Sequence, residues 1–221
     1  MTREGKVFLP QRVLLTRPMV ALIDYGMGNI HSVKKALEIC GAEVLVTNNP
    51  KDILFSEKIV LPGVGAFDDA MRELEKQGLA SVIKDEVKNK KPFLGICLGM
   101  QLLFERSEEA KANKGLGILK GIVKKFPKGN FKVPHMGWNQ IKNKQIGRCP
   151  LLKEISDDAY VYFCHSYYPK PKDKDVIAAT TDYGVNFASV VNREHVFGVQ
   201  FHPEKSQGMG LKILDNFCKL C

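Results

Sequence analysis

The pentapeptide Gly95-Ile96-Cys97-Leu98-Gly99 sets a thiol between two small residues, where an apolar strand-like run from Phe93 to Ile96 meets a helical segment beginning near Leu98. A nucleophile in a G-x-nucleophile-x-G frame occupies a sharp strand-to-helix turn that lifts its side chain above the end of a sheet. A helix start at that point offers unpaired N–H groups and partial positive charge, and both favour a thiolate. The competing reading is a structural cysteine beside packing glycines, and the pentapeptide alone does not choose between them.

A thiol nucleophile needs a base. The strand expected over Phe197 to Phe201 delivers His202-Pro203-Glu204 just beyond its end. Residues two apart in extended backbone point the same way, so the imidazole of His202 and the carboxylate of Glu204 lie side by side. Pro203 fixes its own φ and biases His202 away from helical geometry, which preserves that relationship. The carboxylate then orients the ring and stabilises its protonated form, as the acidic member of a Ser-His-Asp triad does. A surface histidine in a turn is the commoner meaning of the tripeptide.

Leu61-Pro62-Gly63-Val64-Gly65 follows a short strand. Its glycines allow close backbone approach, so an N–H at Gly63 or Val64, together with the amide of Leu98, can form an oxyanion hole. An ordinary strand-to-helix loop is the plain alternative. The glycines of Asp24-Tyr25-Gly26-Met27-Gly28-Asn29 fail the G-x-G-x-x-G frame, because His31 stands where the third glycine belongs; a Rossmann cofactor site is therefore not expected.

The elements that must position these groups are legible from periodicity. Val20 to Ile23 reads as a buried strand, and Ile30, Val33, Leu37 and Cys40 recur at helical spacing up to Gly41. Strands follow at Val44 to Val46 and Ile59 to Leu61, then helices with Phe67, Ala70, Met71 and Leu74 on one face and with Val82, Ile83 and Val87 on another. Short apolar strands alternating with amphipathic helices imply an α/β fold: a mostly parallel open sheet, flavodoxin-like, with helices on both faces. Beyond about residue 115, strands at Ile122 to Phe126, Tyr160 to Cys164, Val176 to Ala179, Ser189 to Val191 and Val196 to Phe201 are expected to add antiparallel partners. A last helix carries Leu211, Leu214 and Cys218 on one face. Residues 1–18 lack either periodicity and read as an extension outside the fold, leaving 19–221 as one domain.

Composition narrows the function class. With 221 residues and 44% hydrophobic content the chain can bury one sizeable core. The net charge of +9 comes from lysines scattered among glutamates, with no basic stripe interleaved with aromatics, so a solvated surface is expected and nucleic acid is not. Six cysteines without a recognisable secretory leader suit free thiols in the cytoplasm. The Cys218-x-x-Cys221 pair lacks the further ligands that a zinc site needs, so no metal is expected. No apolar run reaches the ~18 to 20 residues of a membrane span, and no cofactor is implied.

The order PGVG, GICLGMQ, FHPE resembles the class I glutamine amidotransferases. Four further segments are similar to the glutaminase subunits of imidazole glycerol phosphate synthase: Asp24-Tyr25-Gly26-Met27-Gly28-Asn29, Pro134-His135-Met136-Gly137-Trp138-Asn139, Tyr162-Phe163-Cys164-His165-Ser166-Tyr167-Tyr168 and Gln200-Phe201-His202-Pro203-Glu204-Lys205-Ser206. The resemblance runs from about Val20 to the C-terminus. It implies that Cys97 attacks the side-chain amide of glutamine, that His202 moves protons and that Glu204 orients it. It further puts Gly65, Gln101, Glu109, Ser166 and Tyr167 around the substrate, and His135, Trp138, Tyr162, His165 and Lys205 on the side facing a partner. That partner is a (β/α)8-barrel cyclase, joined in a heterodimer and supplied with ammonia through an internal channel, and the PGVG peptide is expected to rearrange when the cyclase is occupied. Rival readings are the glutaminase of an anthranilate, guanylate or purine synthase, a cysteine peptidase or γ-glutamyl hydrolase, and an inactive binding module.

Overall fold

The computed structural model describes residues 17–145 and 147–221. Of the expected N-terminal extension, only Arg17 and Pro18 lie within the described residues; the Pro18 carbonyl accepts the Glu43 N–H at 3.0 Å.

The first half alternates strand and helix: β1 Met19–Ile23, α1 Ile30–Ile39, β2 Glu43–Thr47, α2 Pro50–Phe55, β3 Lys58–Leu61, α3 Phe67–Lys76, α4 Leu79–Lys88, β4 Phe93–Ile96 and α5 Leu98–Leu102. The second half is strand-rich: β5 Phe104–Ser107, β6 Leu119–Lys125, β7 His135–Asn143, β8 Ala159–His165, β9 Tyr167–Pro171, β10 Ile177–Asp182, β11 Asn186–Arg193 and β12 Val196–Val199, closed by α6 Gln207–Leu220.

A nine-stranded sheet runs β2-β1-β3-β4-β12-β11-β10-β7-β8. Its first five strands are parallel, and β11, β10, β7 and β8 add antiparallel pairs, as expected from the change of texture along the chain. A second, three-stranded sheet joins β5, β6 and β9. Alternate residues of β1 serve opposite faces: Val20 and Leu22 pack with α1 and α6, whereas Ala21 and Ile23 pack with α3 and α4. Burial on both faces explains why the central strands read as unbroken apolar runs. Phe67, Ala70, Met71 and Leu74 of α3 are all buried, so truncating Phe67 to alanine should cost about 3 to 5 kcal/mol. No helix among the described residues is long and apolar enough to cross a membrane.

Four elements escaped the periodicity reading. Helix α2 is only six residues long and is announced by its cap, not by an apolar stripe: Asn49 accepts the Lys51 N–H with Pro50 at the first helical position. Strands β5, β7 and β9 mix exposed and buried positions, β5 and β9 at the edges of the small sheet and β7 next to the edge of the large one. Strand β12 stops at Val199 and not at Phe201, because the next amides change partners. Gln200 N–H bonds the Ser189 carbonyl at 2.9 Å and His202 N–H bonds that of Tyr162 at 2.9 Å, carrying the chain across toward β8.

Candidate active site

Strands β3, β4 and β12 are parallel neighbours, so their carboxyl ends open side by side; a ligand crevice at that edge is the usual arrangement in open α/β sheets. The register sets Leu61 beside Gly95 and Ile96 beside Val199. The PGVG segment, Cys97 and the chain leading to His202 therefore emerge together.

Cys97 has φ 53° and ψ −108°, a left-handed excursion unusual for a side-chain-bearing residue. Both glycines of the elbow are compelled. A Cβ on Gly99 would lie 1.8 Å from the Leu61 carbonyl oxygen, and one on Gly95 would lie 2.6 Å from that of Gly99. The strained turn is thus clamped by backbone packed against backbone. Helix α5 spans only five residues, so no long macrodipole bears on the sulfur.

His202 donates from Nδ1 to Glu204 Oε1 at 2.9 Å, and the two side chains are 5% and 1% exposed. Its backbone is pinned by Ser206, whose hydroxyl donates to the His202 carbonyl at 2.6 Å and accepts the Tyr162 N–H at 3.0 Å. Burial alone would lower the His202 pKa, but hydrogen bonds to Cys97 and Glu204 and their negative charge outweigh it and raise the value to about 10. The side-by-side placement of the His202 ring and the Glu204 carboxylate is the geometry expected from residues two apart in extended chain. Glu204 Oε2 has no hydrogen-bond partner among the described residues.

A cavity of about 310 Å³ opens over Cys97 and His202, lined also by Val64, Gly65, Leu98, Gln101, Glu109, Ser166, Tyr167 and Lys205. Every residue expected to surround a substrate is therefore gathered there. Gln101 spends both protons of its Nε2, on the Tyr167 carbonyl at 3.0 Å and on Gln200 Oε1 at 3.1 Å, so toward the cavity it can only accept. Glu109 Oε2 accepts the Phe67 N–H at 2.9 Å. Among the described residues no group of three or more His, Cys, Asp or Glu side chains could hold a metal ion.

Two expectations require correction. The oxyanion hole is not assembled: the Leu98 N–H points at the Gly63 carbonyl at 3.3 Å and the Val64 N–H at that of Met27 at 3.4 Å. The Gly63–Val64 peptide presents oxygen where a hole needs hydrogen. Second, His135 and His165 are buried and do not stand on an outer face, although His165 also lines the cavity over Cys97. They are buried in an aromatic cluster in which His135 stacks on Phe163 and Tyr183. The reason is their place on the inward side of a β7–β8 pair, in which His135 stands opposite His165. Trp138, by contrast, is 46% exposed and meets Tyr162 edge-on, with Lys205 Nζ 5.9 Å from the Tyr162 ring centroid.

Sequence reasoning missed three contributors. Tyr25 is buried with its hydroxyl donating to the Pro62 carbonyl at 3.1 Å, and burial, followed by the charge of Cys97, pushes its pKa up. Cys164 offers its carbonyl to the Cys97 thiol at 3.8 Å. Gln200 donates to the Cys97 sulfur at 3.7 Å; the same two-residue alternation that picked out Glu204 from His202 would have found it one step upstream.

Comparison with known proteins places this geometry. The family model "Glutamine amidotransferase class-I" matches residues 21–221. The chain belongs to the class I glutamine amidotransferase family. Among amidotransferases of this class, it is 51% identical over 204 residues to "Imidazole glycerol phosphate synthase subunit HisH" of Geobacter sulfurreducens, covering 90% of this chain and 97% of the relative. The protein of the same name from Caldanaerobacter subterraneus subsp. tengcongensis is 52% identical over 199 residues, covering 90% and 97%. "Imidazole glycerol phosphate synthase subunit HisH 1" of Methanococcus maripaludis is 48% identical, covering 91% of this chain and all of that one. A solved structure titled "Structure of PurLQS from Thermotoga maritima" superposes with a TM-score of 0.70 at 22% identity, over 91% of this chain and 97% of that one, and supports the amidotransferase fold.

Proposed function

We propose that this amidotransferase is the glutaminase subunit of imidazole glycerol phosphate synthase, releasing ammonia from glutamine for a (β/α)8-barrel cyclase subunit in histidine biosynthesis. The observation that carries the reading is the buried Cys97–His202–Glu204 arrangement at the floor of a cavity gathered from three strand ends.

The chemistry follows from the charges. The Cys97 thiolate adds to the amide carbon, and His202, whose Nδ1–H stays bonded to Glu204, delivers its Nε2 proton to the departing nitrogen. Ammonia leaves and a glutamyl thioester remains. Water, deprotonated by His202, then attacks the thioester; the S–C bond breaks, the electron pair returns to sulfur and glutamate departs. Glu109 is suited to answer the substrate ammonium, and Gln101, with only its oxygen free, to accept from the same end.

Isolation from bulk water is central, because ammonia released at neutral pH would become ammonium and cease to be a nucleophile. Lys205 at the cavity wall, with the half-buried Tyr162 beside it and the exposed Trp138 beyond, suits the docking face for the cyclase, which would seal the exit. A Gly63–Val64 peptide turned the wrong way suits an enzyme that is idle until its partner holds substrate. Rotation of that peptide carries the Gly63 oxygen away and brings the Val64 N–H in, and Gly63 offers no Cβ to obstruct it.

The test is synthesis by the assembled heterodimer. Cys97→Ala should abolish glutamine-dependent formation of the cyclase product while leaving synthesis from added ammonium salts intact; loss of both would assign Cys97 to folding or docking.

A further inference from the structure

Gln200 is fully buried one residue beyond the end of β12 and takes part in none of the steps above. The parallel register that sets Val199 opposite Ile96 makes Gln200 and Cys97 leave their strands side by side. Cys97 N–H to the Val199 carbonyl at 2.8 Å and Gln200 N–H to that of Ser189 at 2.9 Å hold the two backbones in that relation.

Which end of the Gln200 amide faces the sulfur follows from donor and acceptor roles. The Tyr167 carbonyl can only accept, so the Gln101 atom 3.0 Å from it is the nitrogen. The second proton of that nitrogen points at Gln200, 3.1 Å away, which must present its oxygen there. The Gln200 nitrogen is left 3.7 Å from the Cys97 sulfur, directed at it. On another side of the sulfur stands the Cys164 carbonyl at 3.8 Å, an acceptor that favours the protonated thiol and opposes the anion.

We propose that Gln200 is a further catalytic residue, a neutral N–H donor, oriented by Gln101 and Tyr167, that holds the Cys97 thiolate for attack and receives it again when the thioester breaks. The assignment rests on the glutaminase reading and deepens it. When the S–C bond forms, the sulfur loses its charge and the hydrogen bond weakens; when that bond breaks, the returning electron pair meets the same N–H. A neutral donor suits the place, because a second cation there would compete with His202 for the electrostatic support that keeps it protonated. One hydrogen bond to an ionised group is worth on the order of tenfold to a hundredfold, and the long N···S separation puts Gln200 at the lower end.

The experiment compares the full-length wild-type chain with Gln200→Met, of similar length but without donors, and Gln200→Asn, whose amide is withdrawn by one methylene. The rate of Cys97 alkylation by iodoacetamide is followed against pH by mass spectrometry, alongside labelling by a glutamine-mimicking chloroketone and the kcat and KM for glutamine with the cyclase present. Both variants should move the onset of alkylation upward by about one pH unit, slow it about tenfold at neutral pH and lower kcat by a similar factor with little change in KM. Alkylation profiles that superimpose on wild type, or a change confined to KM, would overturn the role and reduce Gln200 to packing against Gln101. If Gln200→Met does not give the wild-type circular dichroism spectrum, the shorter amide decides. Failure of the chloroketone to label Cys97 in the wild-type chain would instead sink the glutaminase reading and this one with it.

Discussion

The Gly63 carbonyl accepts the Leu98 N–H at 3.3 Å, so the amide best placed to receive an oxyanion is already occupied by the loop that should supply the second donor. The resting site pairs its own machinery off against itself. Losing one oxyanion donor typically costs on the order of 10² to 10³ in turnover.

The first expectation is therefore a conditional enzyme. Glutamate release by the isolated subunit should be slow and should rise by about 10² or more when the cyclase and its ligand are both present. A coupled glutamate assay reads this directly, and an equally fast lone subunit would refute it. Gly63→Ala should blunt the rise, because its Cβ would sit 2.5 Å from the Tyr25 hydroxyl and 2.9 Å from Leu98 Cβ.

Replacing Glu204 by glutamine should lower glutamine-dependent turnover by about 10² to 10⁴ with ammonium-dependent synthesis retained. The shape of the site survives, but the carboxylate that orients the ring and supports its positive charge is gone. Unchanged turnover in the heterodimer would remove Glu204 from the mechanism.

Two sets of histidines should pull stability in opposite directions with pH. His202 binds its proton more tightly folded than unfolded, so its contribution is complete below about 6.5 and is lost as pH rises toward about 10. His135 and His165 are the reverse: burial lowers them to about 4 and about 3. Their hydrogen bonds require neutrality. His165 Nδ1–H donates to the Tyr167 carbonyl at 2.7 Å, so its Nε2 must accept from His135 Nδ1–H at 3.0 Å, and His135 Nε2 in turn accepts from Asn139 at 3.3 Å. An added proton on either ring would break that chain. Between about pH 6.5 and 4 the unfolded state binds more protons than the folded one, and stability falls as pH falls. The urea midpoint should peak near pH 6.5, and His135→Gln should flatten its acid side by about half. A midpoint independent of pH from 4 to 6.5 would contradict the buried neutral pair.

Gly99→Ala should be more damaging than any surface change, since its Cβ would overlap the Leu61 carbonyl oxygen at 1.8 Å, where only backbone movement can relieve it. A loss of at least about 3 kcal/mol in chemical denaturation, together with loss of Cys97 labelling, is the expected result.

The sequence by itself determined the elements whose pattern is strong and local: β1, α1, β3, α3, α4 and β4 lie where periodicity put them, because each buries a full face and therefore must be written in apolar residues at fixed spacing. It also singled out Cys97, His202 and Glu204, since an elbow needs its glycines and an i, i+2 pair needs no partner to be recognised. Strands β5, β7 and β9 were illegible because each buries only two residues, and their pairing is decided by distant chain. Only the tertiary structure decided which way the Gly63–Val64 peptide points, that His135 and His165 are interior, and that Gln200 stands beside the sulfur. Each of these depends on hydrogen bonds or register between segments far apart in the chain, and a linear pattern carries no information about which donor such a contact leaves free.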